Sequence, residues 1–387
     1  MFPRSEPSQF YHVISWGVAT TPRIVPMKSR HSIILVLLLL LPASAFAEET
    51  LRCQNERGRL LISVNIGNHA GYTALLDAGI QVPIVSTTAA AALGLQADEK
   101  GELKTSIALS PTLRFDARAA IGDLAFLSEQ LGRTVDALVP LQQAGLELTL
   151  DVAAGTVGYR PLGSASLGNK VGGISTLRLR DSAAPLVQVL LNGKFQREME
   201  LDLAFPGVAS LSEDTVQALG LFGKNPPVLL TRASDGRTTT QFRIDEIRLG
   251  QTDLNSPICE LDPQRDRLGL AALQYFRVTM NYEAGLIRWD ALRSGPVPMQ
   301  PLIGYGLVLD RMRAGQWTLG VADDSPAAEA GARPGVVLVG IDSARLRDTG
   351  HAAVGRMLRA VEGSTLTFTL QQDGVTRDIL LTARPLL

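Results

Sequence analysis

The chain has 387 residues, 37 of them basic and 38 acidic, for a net charge of −1, and 45% of the residues are hydrophobic. Near-neutrality without a basic stripe excludes the electrostatic footprint of a nucleic-acid binder. Beyond residue 47 only His69 and His351 remain, Cys53 and Cys259 stand in no metal-ligand spacing, and there is no Gly-rich phosphate loop; a His-based triad, a His-rich metal centre and a nucleotide site are excluded, and no metal or cofactor is expected.

Residues 1–26 mix Pro, Ser and aromatics without period, and read either as an untranslated upstream segment, with Met27 as the initiator, or as a long irregular leader start. Met27-Lys28-Ser29-Arg30 then opens an export signal, the run 33–41 is its apolar core, and Pro42 with Ala45-Phe46-Ala47 supplies the break and the small-x-small cleavage site. The segment 27–47 is therefore expected to be a cleaved signal peptide that delivers a chain starting at Glu48 to the periplasm or the medium. Its apolar core is well short of the ~20 residues that span a membrane, so no span is expected after cleavage. In that compartment Cys53 and Cys259 are open to two readings, one bridge or two lone buried thiols.

The alternating run 61–66, a turn over 67–71 and a return strand through Tyr72 lead into Leu75-Leu76-Asp77-Ala78-Gly79. A short apolar segment, an Ala-rich helical run and Leu93-Gly94-Leu95 follow; 115–127 reads as strand, and then come Asp136-Ala137-Leu138-Val139-Pro140-Leu141 and the segment 146–151 with a turn at Ala154-Gly155. The pattern returns later in the chain. Asn192-Gly193 makes a hairpin between 187–191 and a strand running to Asp202, Ser212 caps a helix through Val216, Leu219 and Leu221, and Leu219-Gly220-Leu221 repeats the earlier tripeptide. Ser234-Asp235-Gly236 reads as the tip of a hairpin able to fold over a cleft, and the copy closes with Leu268-Gly269-Leu270 and a hairpin over 278–287. Two such copies, about 60–159 and 185–289, can bring Asp77 and Asp202 together on a pseudo-twofold axis. Short strands with turn punctuation and one short helix per copy point to a mainly β architecture.

Over 60–290 the chain resembles the retropepsin-like aspartic proteases, through the acid at the end of an apolar strand, the Leu-Gly-Leu helix end, the flap-like hairpin and the later apolar-apolar-Gly segment. The resemblance implies two fused β-barrel lobes, 48–165 and 172–292, with Asp77 and Asp202 as a dyad. Such a pair shares one proton, one acid activating water and the other protonating the peptide carbonyl. The sequence departs from that pattern: Ala78 and Leu203 replace the hydroxyl residues that brace the dyad, Ala204 replaces a glycine, and Ala137 and Pro140 stand where the family has glycines. The expectation is a peptide-binding pseudo-protease, with an active endopeptidase as the alternative.

After a linker over 293–301, the segment 302–387 resembles a PDZ domain of the bacterial exported type. Gly304-Tyr305-Gly306-Leu307 matches that family's carboxylate-binding loop, Asp324-Ser325-Pro326-Ala327-Ala328-Glu329-Ala330-Gly331 its short helix, and 350–361 its longer one. The resemblance implies that peptides or unfolded segments, carboxyl-terminal tails among them, add as a strand with their carboxylate on the backbone of Gly304, Tyr305, Gly306 and Leu307.

Overall fold

The computed structural model describes residues 48–99, 102–142, 145–162, 173–179, 184–221 and 228–387. The leader and the lobe boundaries expected near 165 and 172 lie outside the described residues. Among those described, no helix is long and apolar enough to cross a membrane.

The molecule is mainly β, and its first two-thirds form two lobes built on one plan. In lobe one, strand Arg59–Ile66 turns back as His69–Asp77, and the end of that strand lies parallel to Ala137–Pro140, pairing Leu76 with Val139 and Asp77 with Pro140. In lobe two, Pro185–Leu191 turns back as Phe195–Asp202, which runs parallel to Arg267–Gly269, pairing Leu201 with Leu268 and Asp202 with Gly269. The second turn is Asn192-Gly193, both residues at positive φ (49° and 69°), which matches the right-handed twist of the flanking strands. In each lobe a serine then caps a six-residue helix: Ser86 Oγ accepts from Ala89 N at 3.0 Å and Ser212 Oγ from Thr215 N at 3.3 Å.

A six-stranded antiparallel sheet joins the lobes, in the order Glu49–Arg52, Thr156–Pro161, Leu146–Asp151, Phe276–Asn281, Leu286–Ala291, Gly173–Leu179. At its centre Thr149 pairs with Thr279, and the flanking turns are copies: Asp151 Oδ1 accepts from Ala154 N and Asn281 Oδ1 from Ala284 N, each at 2.8 Å. One apolar core runs beneath both lobes, with Leu148, Leu150, Met199, Phe276 and Met280 in it. Cys53 and Cys259 are both buried and both free, so the lone-thiol reading holds. Burial pushes the Cys53 thiol up to about 11 and raises that of Cys259 further.

Three expectations are corrected. The run 115–127 is not strand throughout: the strand is Arg114–Gly122, and helix Ala125–Leu131 follows, started by the Asp123 side chain accepting from Ala125 N at 2.9 Å and stopped by Gly132 at φ 64°. Among the described residues each lobe thus carries two short helices, the second in lobe two being Leu270–Leu273. The helix begun at Ser212 ends at Ala218, where Gly220 takes a left-handed conformation. The helix expected over 350–361 covers only His351–Met357, with Leu358 as its carboxyl cap.

The carboxy-terminal unit has its own core, around Trp317, Leu319, Leu338, Phe368 and Leu370. Strands Leu307–Arg313, Gln316–Ala322, Val336–Ile341, Thr365–Gln372 and Val375–Thr382 follow one another across its sheet. The flap-like hairpin of lobe two, Val228–Arg232 with Thr238–Arg243, does not stand free over a cleft. Its first strand pairs with Gln316–Ala322, Thr231 opposite Ala322 and Arg232 opposite Val321, so the lobe-two sheet continues into this unit.

Candidate functional site

Asp77 and Asp202 end equivalent strands and begin equivalent turns. Asp77 Oδ1 accepts from Gly79 N at 2.7 Å and Asp202 Oδ1 from Ala204 N at 2.9 Å. The two carboxyls share one electrostatic site. Burial raises the Asp77 carboxyl above its ordinary value, the Gly79 N–H opposes that, the charge of Asp202 raises it again, and Arg59 pulls it down. The residues that follow the two acids are buried, Ala78 at 3% and Leu203 at 0% exposure, where they pack rather than bond.

The surroundings of the two acids differ. Asp202 Oδ2 is held by Arg267 Nη1 at 3.1 Å. That guanidinium also pairs with Asp262 at 2.9 Å, donates to Ser210 Oγ at 3.0 Å and lies over the Phe205 ring at 4.8 Å, so it is fixed on all sides. Gly269 opposite Asp202 is sterically required, because a Cβ there would fall 2.3 Å from Gly207 O and 2.4 Å from the Phe205 ring. Its counterpart opposite Asp77 is Pro140, which has no N–H to offer. Arg59 stands near both acids, its Nε shielded and without a hydrogen-bond partner.

A cavity of about 260 Å³ opens where the two lobes and the carboxy-terminal unit meet, with Arg57, Arg59, Pro206, Arg237, Val308 and Asp310 among its walls. Arg57 reaches it from the turn between strands Gln54–Glu56 and Arg59–Ile66, where Arg57 and Gly58 have φ 52° and 67°. A Cβ on Gly58 would lie 2.3 Å from Pro206 Cβ, so only glycine lets this lobe-one turn approach lobe two.

The expected carboxylate loop is shaped largely by structural duties. Gly304 pairs with Arg384 in a two-stranded ladder, and Tyr305 is buried, its hydroxyl 2.9 Å from Ser364 Oγ and its ring edge-on to Phe368. Gly306 has φ 82°, and its carbonyl accepts from Ala322 N at 2.9 Å. Leu307 begins the strand, opposite Val321. With Gly306 bonded inward, alternation turns the peptide groups of Leu307 and Leu309 to the outer edge. Among the described residues no strand pairs with that edge. Arg57 covers it instead: Nη1 donates to Asp310 O at 2.6 Å and to Gln130 O at 2.9 Å, and Nη2 donates to Leu309 O. The flap tip grips the same strand, Ser234 N donating to Asp310 Oδ2 at 3.1 Å and Arg311 Nη2 pairing with Asp235 Oδ2 at 2.7 Å.

Sequence reasoning finds the two acids and misses Arg57, Arg59 and Arg267. A basic residue two positions before Gly269 was the available signal for Arg267, and the Arg57-Gly58 pair between strand-like runs was the signal for the turn.

No family model and no curated protein matches the chain. Among solved structures it is similar to basic 7S globulin from soybean, at 10% identity and a TM-score of 0.42, over 63% of this chain and 95% of that one.

Proposed function

We propose that the protein is an exported pseudo-protease that binds extended peptide segments without cutting them, its two lobes being of the aspartic-protease kind and its carboxy-terminal unit of the PDZ kind. One observation carries the reading: both oxygens of Asp202 are engaged, Oδ1 by Ala204 N and Oδ2 by Arg267. A dyad works by sharing a proton between two facing carboxyl oxygens that together hold a water. Here the second oxygen of Asp202 is taken by a guanidinium that is itself locked by three further contacts. The absence of hydroxyls at Ala78 and Leu203 points the same way, since neither residue can brace the pair across the two turns. The leader read over 27–47 supports an activity outside the cytoplasm.

The test is incubation of the chain 48–387 with a mixed peptide library from pH 3 to 8, with mass spectrometry for new termini and equilibrium dialysis for binding. Peptides retained intact are the expected result. Cleavage that disappears in Asp77→Asn would overturn the reading in favour of an active endopeptidase, the reading that the interaction between the Asp77 and Asp202 charges would then support. Export is tested by sequencing the amino terminus of protein recovered from the cell envelope, with Glu48 expected first.

A further inference from the structure

The outer edge of strand Leu307–Arg313 is the place where an added peptide strand would bond, and the chain already bonds it. A strand laid along that edge needs the carbonyl of Leu309 as an acceptor for its own N–H. Arg57 from lobe one supplies that donor, and the same guanidinium closes on Asp310 O and Gln130 O. Gln130 belongs to helix Ala125–Leu131, which lies against this strand. The next turn of backbone is tight as well: a Cβ on Gly132 would fall 2.8 Å from the Trp317 ring and 3.1 Å from Met312 Cε.

From this geometry we infer that Arg57 is a built-in stand-in for a peptide strand, so that the edge of Leu307–Arg313 accepts an extended peptide ending in a free apolar residue only when Arg57 swings out. The inference rests on the peptide-binding reading above and adds its regulation.

One feature makes Arg57 a replaceable occupant: its charge is largely buried against carbonyl dipoles rather than a carboxylate in direct contact. Burial foremost, then the neighbouring charge of Arg59, pushes its guanidinium down to about 10, with Asp310 opposing and Arg237 adding to the push. A group that is desolvated and repelled by like charges regains hydration when it leaves, which offsets part of the bonds it gives up. An arriving peptide then needs to replace only the carbonyl bonds.

The experiment uses the chain 48–387 as wild type, Arg57→Ala and Arg57→Lys, each checked for folding by thermal melting. Each is titrated by fluorescence anisotropy with the labelled hexapeptide Ser-Ala-Thr-Leu-Ala-Val carrying a free carboxyl group, and with its amidated twin. Arg57→Ala should bind the free-carboxyl peptide at least tenfold more tightly than wild type, and Arg57→Lys, which keeps the charge but loses the fork, should fall between them. If Arg57→Ala does not fold, Arg57→Lys carries the comparison with a gain of at least threefold. Hydrogen exchange should show the 307–313 segment protected by the peptide. Equal affinities for wild type and the folded variants, with 307–313 protected, would overturn the gate and leave peptide binding standing. Absence of binding by all the folded proteins would overturn both.

Discussion

Replacing Arg267 by methionine isolates what holds Asp202 in place. The substitution keeps most of the apolar stem over Phe205 and removes the head that reaches Asp202 at 3.1 Å, Asp262 at 2.9 Å and Ser210 at 3.0 Å. The three charged side chains are 19%, 16% and 14% exposed, so these are desolvated pairs rather than surface ones. Removing the shared partner leaves two shielded carboxylates with only their backbone N–H donors and, for Asp202, the charge of Arg59, for which roughly 3 kcal/mol, the low end for a broken buried pair, is the expected loss. Urea unfolding at pH 7, followed by far-UV circular dichroism, measures it. Adding Asp202→Asn to Arg267→Met should then recover at least about 1 kcal/mol, because most of the cost lies in the orphaned charge rather than in the lost bond. The same Asp202→Asn change alone should destabilise. A loss under about 1 kcal/mol for Arg267→Met, or no recovery in the double variant, would refute the view that this pair fixes Asp202.

The other predictions concern pH and the tight turn. Asp77 is raised from 3.8 in the fold, by burial first, so the folded chain keeps a proton that the unfolded chain has lost and stability falls as pH rises through that window. Asp77→Asn should therefore gain on wild type in urea midpoint as pH rises from about 4, and a gap that stays constant with pH would contradict it. Burial, then the charges of Arg57 and Arg59, lowers His351 from 6.5 to about 4, so its contribution is lost as pH falls between those values. His351→Gln should show a shallower acid loss over that range, and an unchanged slope would count against it. Gly306→Ala puts a Cβ 1.9 Å from Ser325 Oγ at φ 82°, and Ser325 is itself fixed by capping the helix Pro326–Glu329. We expect about 2–4 kcal/mol of destabilisation in urea titration, and a loss under about 1 kcal/mol would show that the loop relaxes.

What the sequence discloses is what short-range chemistry decides. Asn192-Gly193 requires a hairpin, Ser86 and Ser212 start helices because their hydroxyls satisfy an amide three residues on, and the repeat around Asp77 and Asp202 follows from matching strand, turn and cap signals. The helix Ala125–Leu131 escapes because its apolar residues continue the preceding strand, although Asp123 and Gly132 mark both of its ends. Arg267 escapes for a different reason. Its partner Asp202 is 65 residues away and is reached only because two strands run parallel in one particular register, Glu200 beside Arg267. The docking of the flap tip on Asp310 and Arg311 is likewise a property of two separately folded surfaces meeting, and no periodicity encodes it.

The sheet that joins the lobes also sets an order of events in folding. Its central pair, Leu146–Asp151 with Phe276–Asn281, brings Asp151 to Arg277 across the whole of lobe two, and its outer strand Glu49–Arg52 waits for Thr156–Pro161. Such distant pairings carry a large loop-closure cost before any return and make folding slow. Lobe one can build its own seven-stranded sheet early, but one edge of Leu146–Asp151 stays unpaired until nearly all of lobe two has left the ribosome. A chain exported in extended form would meet this problem on the far side of the membrane, where the interval before Phe276–Asn281 arrives is the period in which that edge is open to aggregation.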